Sequence, residues 1–299
     1  MKASPSTPLR GIKVGKLALL AAALTVGIIV WGAWVRVSGS GLGCPDWPLC
    51  DGIELTELDR PALIEFGHRI YAGVIIAIVA FAAALAFSNR KMDYLTSWLM
   101  CASLIAILLQ AGLGLLTVVT ELHGLVRLAH LSLAMLILGI LTFSSVRNLD
   151  IRPSIAPEIS DSTIILVIGG LLILIGGGIV GTGISAACLK FPLCGSNIEL
   201  DTTLMHLAHR VLGVVLVILI LRNSIKLRRI KRDKGMVGLM HAVTFILFLQ
   251  AIVGLLVLEA FNGRFSYHES IRVMHLGLAA LIWWGLTAIW ALSWKVKRT

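Results

Sequence analysis

Residues 162–183, STIILVIGGLLILIGGGIVGTG, carry no charged side chain. At 1.5 Å per residue, a helix of that length crosses the ~30 Å hydrocarbon core of a bilayer. Seven more such stretches accompany it, at 16–37, 63–88, 94–119, 123–147, 202–224, 236–260 and 268–294. The chain of 299 residues is 58% apolar and 14% charged, with a mean hydropathy of +0.92. Soluble domains hold about 45–50% apolar and about 25% charged residues. A cytosolic enzyme and a disordered chain are excluded, as is a membrane β-barrel, whose strands alternate at period 2. The sequence predicts an all-α integral membrane protein with eight transmembrane helices.

The net charge of +10 belongs to the loops. Lys2, Arg10, Lys13 and Lys16 precede the first segment, Arg90 and Lys91 follow the second, and Arg147 and Arg152 follow the fourth. Six basic residues between Lys226 and Lys234 separate the sixth and seventh, and Lys295, Lys297 and Arg298 end the chain. The alternate loops hold Asp46, Asp51, Glu54, Glu57 and Asp59. Basic loops stay in the cytoplasm, so both termini are expected there. The first segment runs into Trp34-Val35-Arg36 without a small-residue cleavage site, and is expected to remain as a helix. The short basic lead-in points to a prokaryotic plasma membrane and a multi-pass protein. Nothing offers nucleic acid a basic, aromatic tract to stack on.

Four of the five cysteines lie in the two expected outside loops, as Cys44…Cys50 (CPDWPLC) and Cys188…Cys194 (CLKFPLC). An oxidising compartment favours disulfides; zinc is the other reading, although neither loop supplies two further ligands. Cys101 falls inside the third segment and reads as packing.

The chain is written twice. The Cys pairs match, Glu65-Phe-Gly-His68-Arg69 matches His206-Leu-Ala-His209-Arg210, and the glutamine motifs at Gln110 and Gln250 match. His123-x3-Arg127-x2-His130-Leu matches His268-x3-Arg272-x2-His275-Leu, all at offsets of 140–145 residues. Two pseudo-symmetric four-helix bundles in the same orientation follow, 1–149 and 162–299, joined by a polar cytoplasmic linker at 150–161.

Seven of the eight histidines sit in these motifs, His241 being the exception. Ionisable groups in membrane helices are costly and point to function. His68, His130, His209 and His275 each fall about 8–12 Å below the outer surface, two per half, on helices able to face each other across a bundle. Paired imidazoles across a bundle core are how haem iron is held. Zinc would want more ligands, and a di-iron site more Glu-x-x-His pairs. Arg127 and Arg272 lie three residues before a histidine, and Arg69 and Arg210 adjoin one. All four are candidates for haem propionates; for Arg69 and Arg210, snorkelling to lipid phosphate is the other reading. One asymmetry breaks the duplication: Glu65 stands where the second half has His206. A carboxylate one turn before His68 marks the N-terminal site as the one doing chemistry.

The run Val35 to Cys50 (VRVSGSGLGCPDWPLC), Glu65-x-x-His68-Arg69 and Arg127-x-x-His130-Leu resemble the haem A synthase family, over essentially the whole chain. The resemblance implies oxidation of the C8 methyl group of haem O to a formyl group by successive hydroxylations, giving haem A for terminal oxidases. It implies a haem b cofactor between His209 and His275, a substrate haem between His68 and His130, and Glu65 as the catalytic residue. It matches Cys44/Cys50 to a functional loop and Cys188/Cys194 to a disulfide, and gives no ligand role to His123 or His268. No nicotinamide or flavin fingerprint is present, so electrons are expected to leave by the second haem or a membrane acceptor, with haem O synthase as a possible partner. The rival readings are a two-haem electron-transfer cytochrome b and a haem carrier.

Overall fold

The computed structural model describes residues 9–44, 46–50, 58–89, 92–151, 153–195, 198–230, 234–263 and 268–297. It has eight long helices: α1 (Leu9–Val37), α2 (Arg60–Phe87), α3 (Tyr94–Val119), α4 (Gly124–Asn148), α5 (Ile159–Gly181), α6 (Leu200–Ile230), α7 (Lys234–Phe261) and α8 (His268–Lys297). Each is long and apolar enough to cross a membrane, and the described residues contain no strand. Every apolar segment read from the sequence lies essentially within one helix. The largest differences are α1, which begins at Leu9 rather than 16, and α6, which continues past 224 through Lys226 to Ile230. There Lys226 donates to Glu158 at 2.7 Å, so the polar continuation is anchored to the start of α5 and keeps its helical backbone.

Local chemistry sets the boundaries. Asp59 caps α2 by accepting from the Ala62 N–H at 2.9 Å, with Pro61 in the first turn, where a missing N–H costs nothing. Asp93 caps α3 through the Thr96 N–H and also takes the Arg147 guanidinium at 2.6 Å. Its partial burial pushes the carboxyl up, but the Arg147 hydrogen bond and charge outweigh this and hold it below the usual range.

Helix α1 packs on α2 and α4, and α3 packs on the same two; α5 packs on α6 and α8, and α7 packs on those two. One apolar cluster is centred on Val14, Ala18, Val79, Met100, Leu138 and Leu141. Another is centred on Leu216, Ile220, Met240, Leu286 and Ile289. Between the two sets, α4 and α8 touch each other, α1 touches α8, and α4 touches α5.

This junction is tied by backbone as much as by side chains. The Trp283 indole donates to the Met135 carbonyl at 2.7 Å, and Lys295 donates to the carbonyls of Val146 and Leu149. A Cβ added at Gly124 would collide with the Gly181 carbonyl oxygen, so the start of α4 and the end of α5 meet backbone to backbone. Gly124→Ala is expected to destabilise the fold by about 1–3 kcal/mol, since the helices must part. Gly112→Ala, where an added Cβ meets nothing within 4 Å, is the comparison. Thermal unfolding in detergent checks this, and equal midpoints for the two variants would show that the contact is dispensable.

Candidate functional site

The site gathers at the end of the bundle that carries the cysteine loops. After α1, Gly39 (φ 71°) turns the chain through a single 3-10 turn, Ser40–Leu42; after α5, Gly183 (φ 80°) does the same into Ile184–Ala186. A positive φ of this kind is where glycine carries no side-chain penalty. Cys44 is bonded to Cys50 and Cys188 to Cys194, and each loop holds a cis X-Pro bond, Trp47–Pro48 and Phe191–Pro192.

Arg69 and Arg210 hold these loops. Arg69 donates to the carbonyls of Asp46 (2.5 Å), Pro48 and Leu49, and Arg210 to those of Lys190, Pro192 and Cys188. A planar fork of donors suits several convergent carbonyl oxygens. Both guanidiniums, candidates for propionates or lipid phosphate in the sequence, are thus engaged by their own loops.

Glu65 is buried. One carboxylate oxygen accepts from the Cys44 N–H at 2.9 Å and the other meets Arg69 at 2.5 Å. His206, its counterpart, is also buried and places its ring Nε2 3.0 Å from the Ile184 carbonyl. Both residues therefore reach the preceding loop, one with a carboxyl group and one with an imidazole.

His68, His130, His209 and His275 have a common setting. Each lies six to nine residues into its helix, roughly 9–14 Å along the axis. Each is half-buried, with its Nδ1 fully buried and without a partner among the described residues. Each ring rests on a glycine of the preceding helix. Measured from an added Cβ to the ring Cε1, the gaps are 3.2 Å for Gly32 and His68, 3.7 Å for Gly114 and His130, 3.1 Å for Gly176 and His209, and 3.3 Å for Gly254 and His275. The absence of a side chain at the glycine lets the imidazole stand close against the neighbouring helix. Gln110 donates to the His130 carbonyl, and the Gln250 amide nitrogen lies 3.2 Å from His275 Nε2.

His68 lies within electrostatic reach of His130, and His275 of His209, on helices that face each other diagonally in their sets of four. Among the described residues no three or more His, Cys, Asp or Glu side chains converge as a metal cage would require. A buried ring nitrogen without a partner costs about 1–3 kcal/mol, and four at matching positions call for a ligand. The donor set fits a porphyrin iron, which takes one imidazole on each face. His123 and His268 are exposed at the starts of α4 and α8, and His241 is exposed on α7.

Residues 15–287 match the family described as cytochrome oxidase assembly protein, COX15-CtaA. The chain belongs to this family. Among similar proteins, one named "Heme A synthase" from Symbiobacterium thermophilum is 28% identical, over 90% of this chain and 92% of its own. One of the same name from Bacillus pumilus is 30% identical, over 63% of this chain and 66% of its own. A third, from Shouchella clausii, is 26% identical over 85% and 88%. The resemblance read from the cysteine loop and the His-Arg motifs therefore holds across the COX15-CtaA match. Within this family member the sequence reading missed the glycine seats. Gly114 and Gly254 did carry a signal, because both stand fifth in the repeated glutamine motif.

Proposed function

We propose that this protein makes haem A from haem O, oxidising the C8 methyl group to a formyl group by two successive hydroxylations and loss of water. The observation that carries the reading is the fourfold imidazole-on-glycine arrangement, paired within each half, with a carboxylate beside one pair only. The names of the similar proteins support the product. The N-terminal half, 1–149, takes the substrate haem between His68 and His130. The C-terminal half, 162–299, holds haem b between His209 and His275, and 150–161 links the two pseudo-symmetric halves.

The bound haem b supplies one-electron chemistry to the reaction. The chain supplies the rest. The histidines fix the two porphyrins at one depth, and the glycines set how near each ring stands to its neighbouring helix. Arg127 and Arg272, one turn before His130 and His275, meet the propionates. Glu65, one turn before His68, accepts a proton beside the substrate while Arg69 holds it in place. Both termini lie in the cytoplasm and both cysteine loops outside a prokaryotic plasma membrane, so the substrate reaches the site from the bilayer or from haem O synthase. Electrons leave to a membrane acceptor.

The test is co-expression with a haem O source, followed by chromatography of the extracted haems. New haem A is the expected result. Haem B alone would make the protein an electron-transfer cytochrome or carrier.

A further inference from the structure

Arg36 stands one residue from the end of α1, and its equivalent in the second half is Val180. It is a second place where the duplication is broken. Its position is set by packing. Gly15 lies against Asn148 of the antiparallel α4, and 21 residues along each helix bring Arg36 level with Arg127. Gly277 lies against Val30, and the next turns bring Arg272 of the antiparallel α8 to the same height. The three helices α1, α4 and α8 all touch one another. Each arginine continues a stripe that faces the interior: Arg36 follows Ile29 and Ala33, Arg127 precedes Leu131 and Ala134, and Arg272 precedes Leu276 and Ala280. Arg36 lies within electrostatic reach of both other guanidiniums.

The cluster lacks a counter-charge. Among the described residues the side chains of Arg36 and Arg127 make no hydrogen bond or ion pair, the Arg127 Nε is fully buried, and the Arg272 guanidinium only lies over the Phe261 ring at 5.3 Å. Arg69 and Arg210, by contrast, are filled by loop carbonyls. Three half-buried cations at the junction of two helix sets need an anion, because removing them from water without one is strongly unfavourable. The starts of α4 and α8 add the positive ends of two helix dipoles.

We propose that Arg36, Arg127 and Arg272 form a single carboxylate cradle between the two halves. Arg127 and Arg272 each take a propionate of the porphyrin in their own half, and Arg36 bridges the two carboxylates. The cradle rests on the reading that each half binds a porphyrin. It ties the two porphyrins to one shared charge cluster, so Arg36 on α1 acts on the haem held by α6 and α8 as a positioning residue without touching its iron. A lipid phosphate is the other anion with the chemistry to fill three guanidiniums.

The experiment is a redox titration of the purified holoprotein, with haem b counted by pyridine haemochrome and phospholipid phosphate assayed per chain. In Arg36→Gln the haem b midpoint is expected to fall, because losing a cation beside the carboxylates favours the oxidised iron. The haem count should match the parent, and Arg36→Lys should restore most of the shift. A parent-like midpoint in Arg36→Gln at full haem count overturns the cradle and leaves the haem reading standing. The same midpoint with loss of bound phosphate assigns the cluster to a lipid headgroup, which also overturns it. A parent protein without haem overturns the haem reading and the cradle together.

Discussion

Membranes carrying His275→Ala should yield protein whose low-spin haem absorbance is lost or replaced by a high-spin form, and His209→Ala should do the same. On the proposed function, each substitution would remove one of the two nitrogens expected to hold the iron. The side chain hydrogen-bonded to His275 Nε2 is the Gln250 amide, at 3.2 Å, and an amide is a far weaker ligand for haem iron than an imidazole. The alanine side chain also leaves open the seat on Gly254. Haem b per chain is expected to fall at least tenfold in His275→Ala, equivalent to about 1.4 kcal/mol or more of lost affinity at limiting haem. His241→Ala, on an exposed face of α7, should keep the parent spectrum. Unchanged spectra in both ligand variants would remove His209 and His275 from the haem site.

Glu65→Gln should have the opposite signature: haem b retained, haem A reduced to traces, and an intermediate alcohol accumulating. Glutamine keeps the size of the side chain and one oxygen to accept from the Cys44 N–H. It loses the charge that meets Arg69 and any capacity to take a proton. General acid–base groups contribute about 10²–10⁴-fold to a rate, and a loss in that range is expected. Because Glu65 also ties the first cysteine loop to α2, the Cys44–Cys50 disulfide is mapped in the same sample under non-reducing conditions. Haem A lost with the disulfide intact identifies the carboxylate's own chemistry. Haem A lost together with the disulfide means that Glu65 acts by holding the loop. Haem A at the parent rate makes Glu65 structural and moves the chemistry out of the N-terminal half.

Much of this molecule could be read before its structure. The eight helices were legible because stretches such as 162–183 contain no charge, and a bilayer leaves the backbone of such a stretch little choice but to hydrogen-bond to itself. The histidines were legible because ionisable residues inside membrane segments are rare and these recur twice. The roles of Arg69 and Arg210 were not legible, since their partners are backbone carbonyls of loops some twenty residues away, and a carbonyl has no signature in sequence. Arg36 was hidden for another reason. A lone basic residue at the end of a helix looks like an interfacial anchor, and only the packing of α1 against α4 and α8 shows that it stands level with Arg127 and Arg272. The seats on Gly32 and Gly176 hold equivalent places in the repeat, seven residues before Gly39 and Gly183, but a Trp-Gly-Ala-Trp run and a triple-glycine run hide the match.

The guanidiniums that gather the loop carbonyls also bear on the order in which the chain is assembled. Each disulfide closes a ring with a sequence separation of 6, and constraining so short a ring in an unfolded chain is worth about 2 kcal/mol in the chain-entropy account. Arg69 and Arg210 restrict the same loops through their carbonyls, so bond and guanidinium act on one shape. Both arginines come later in the chain than the loops they organise, on α2 and α6. The arginine-held shape of each loop is therefore complete only when the following helix stands beside it.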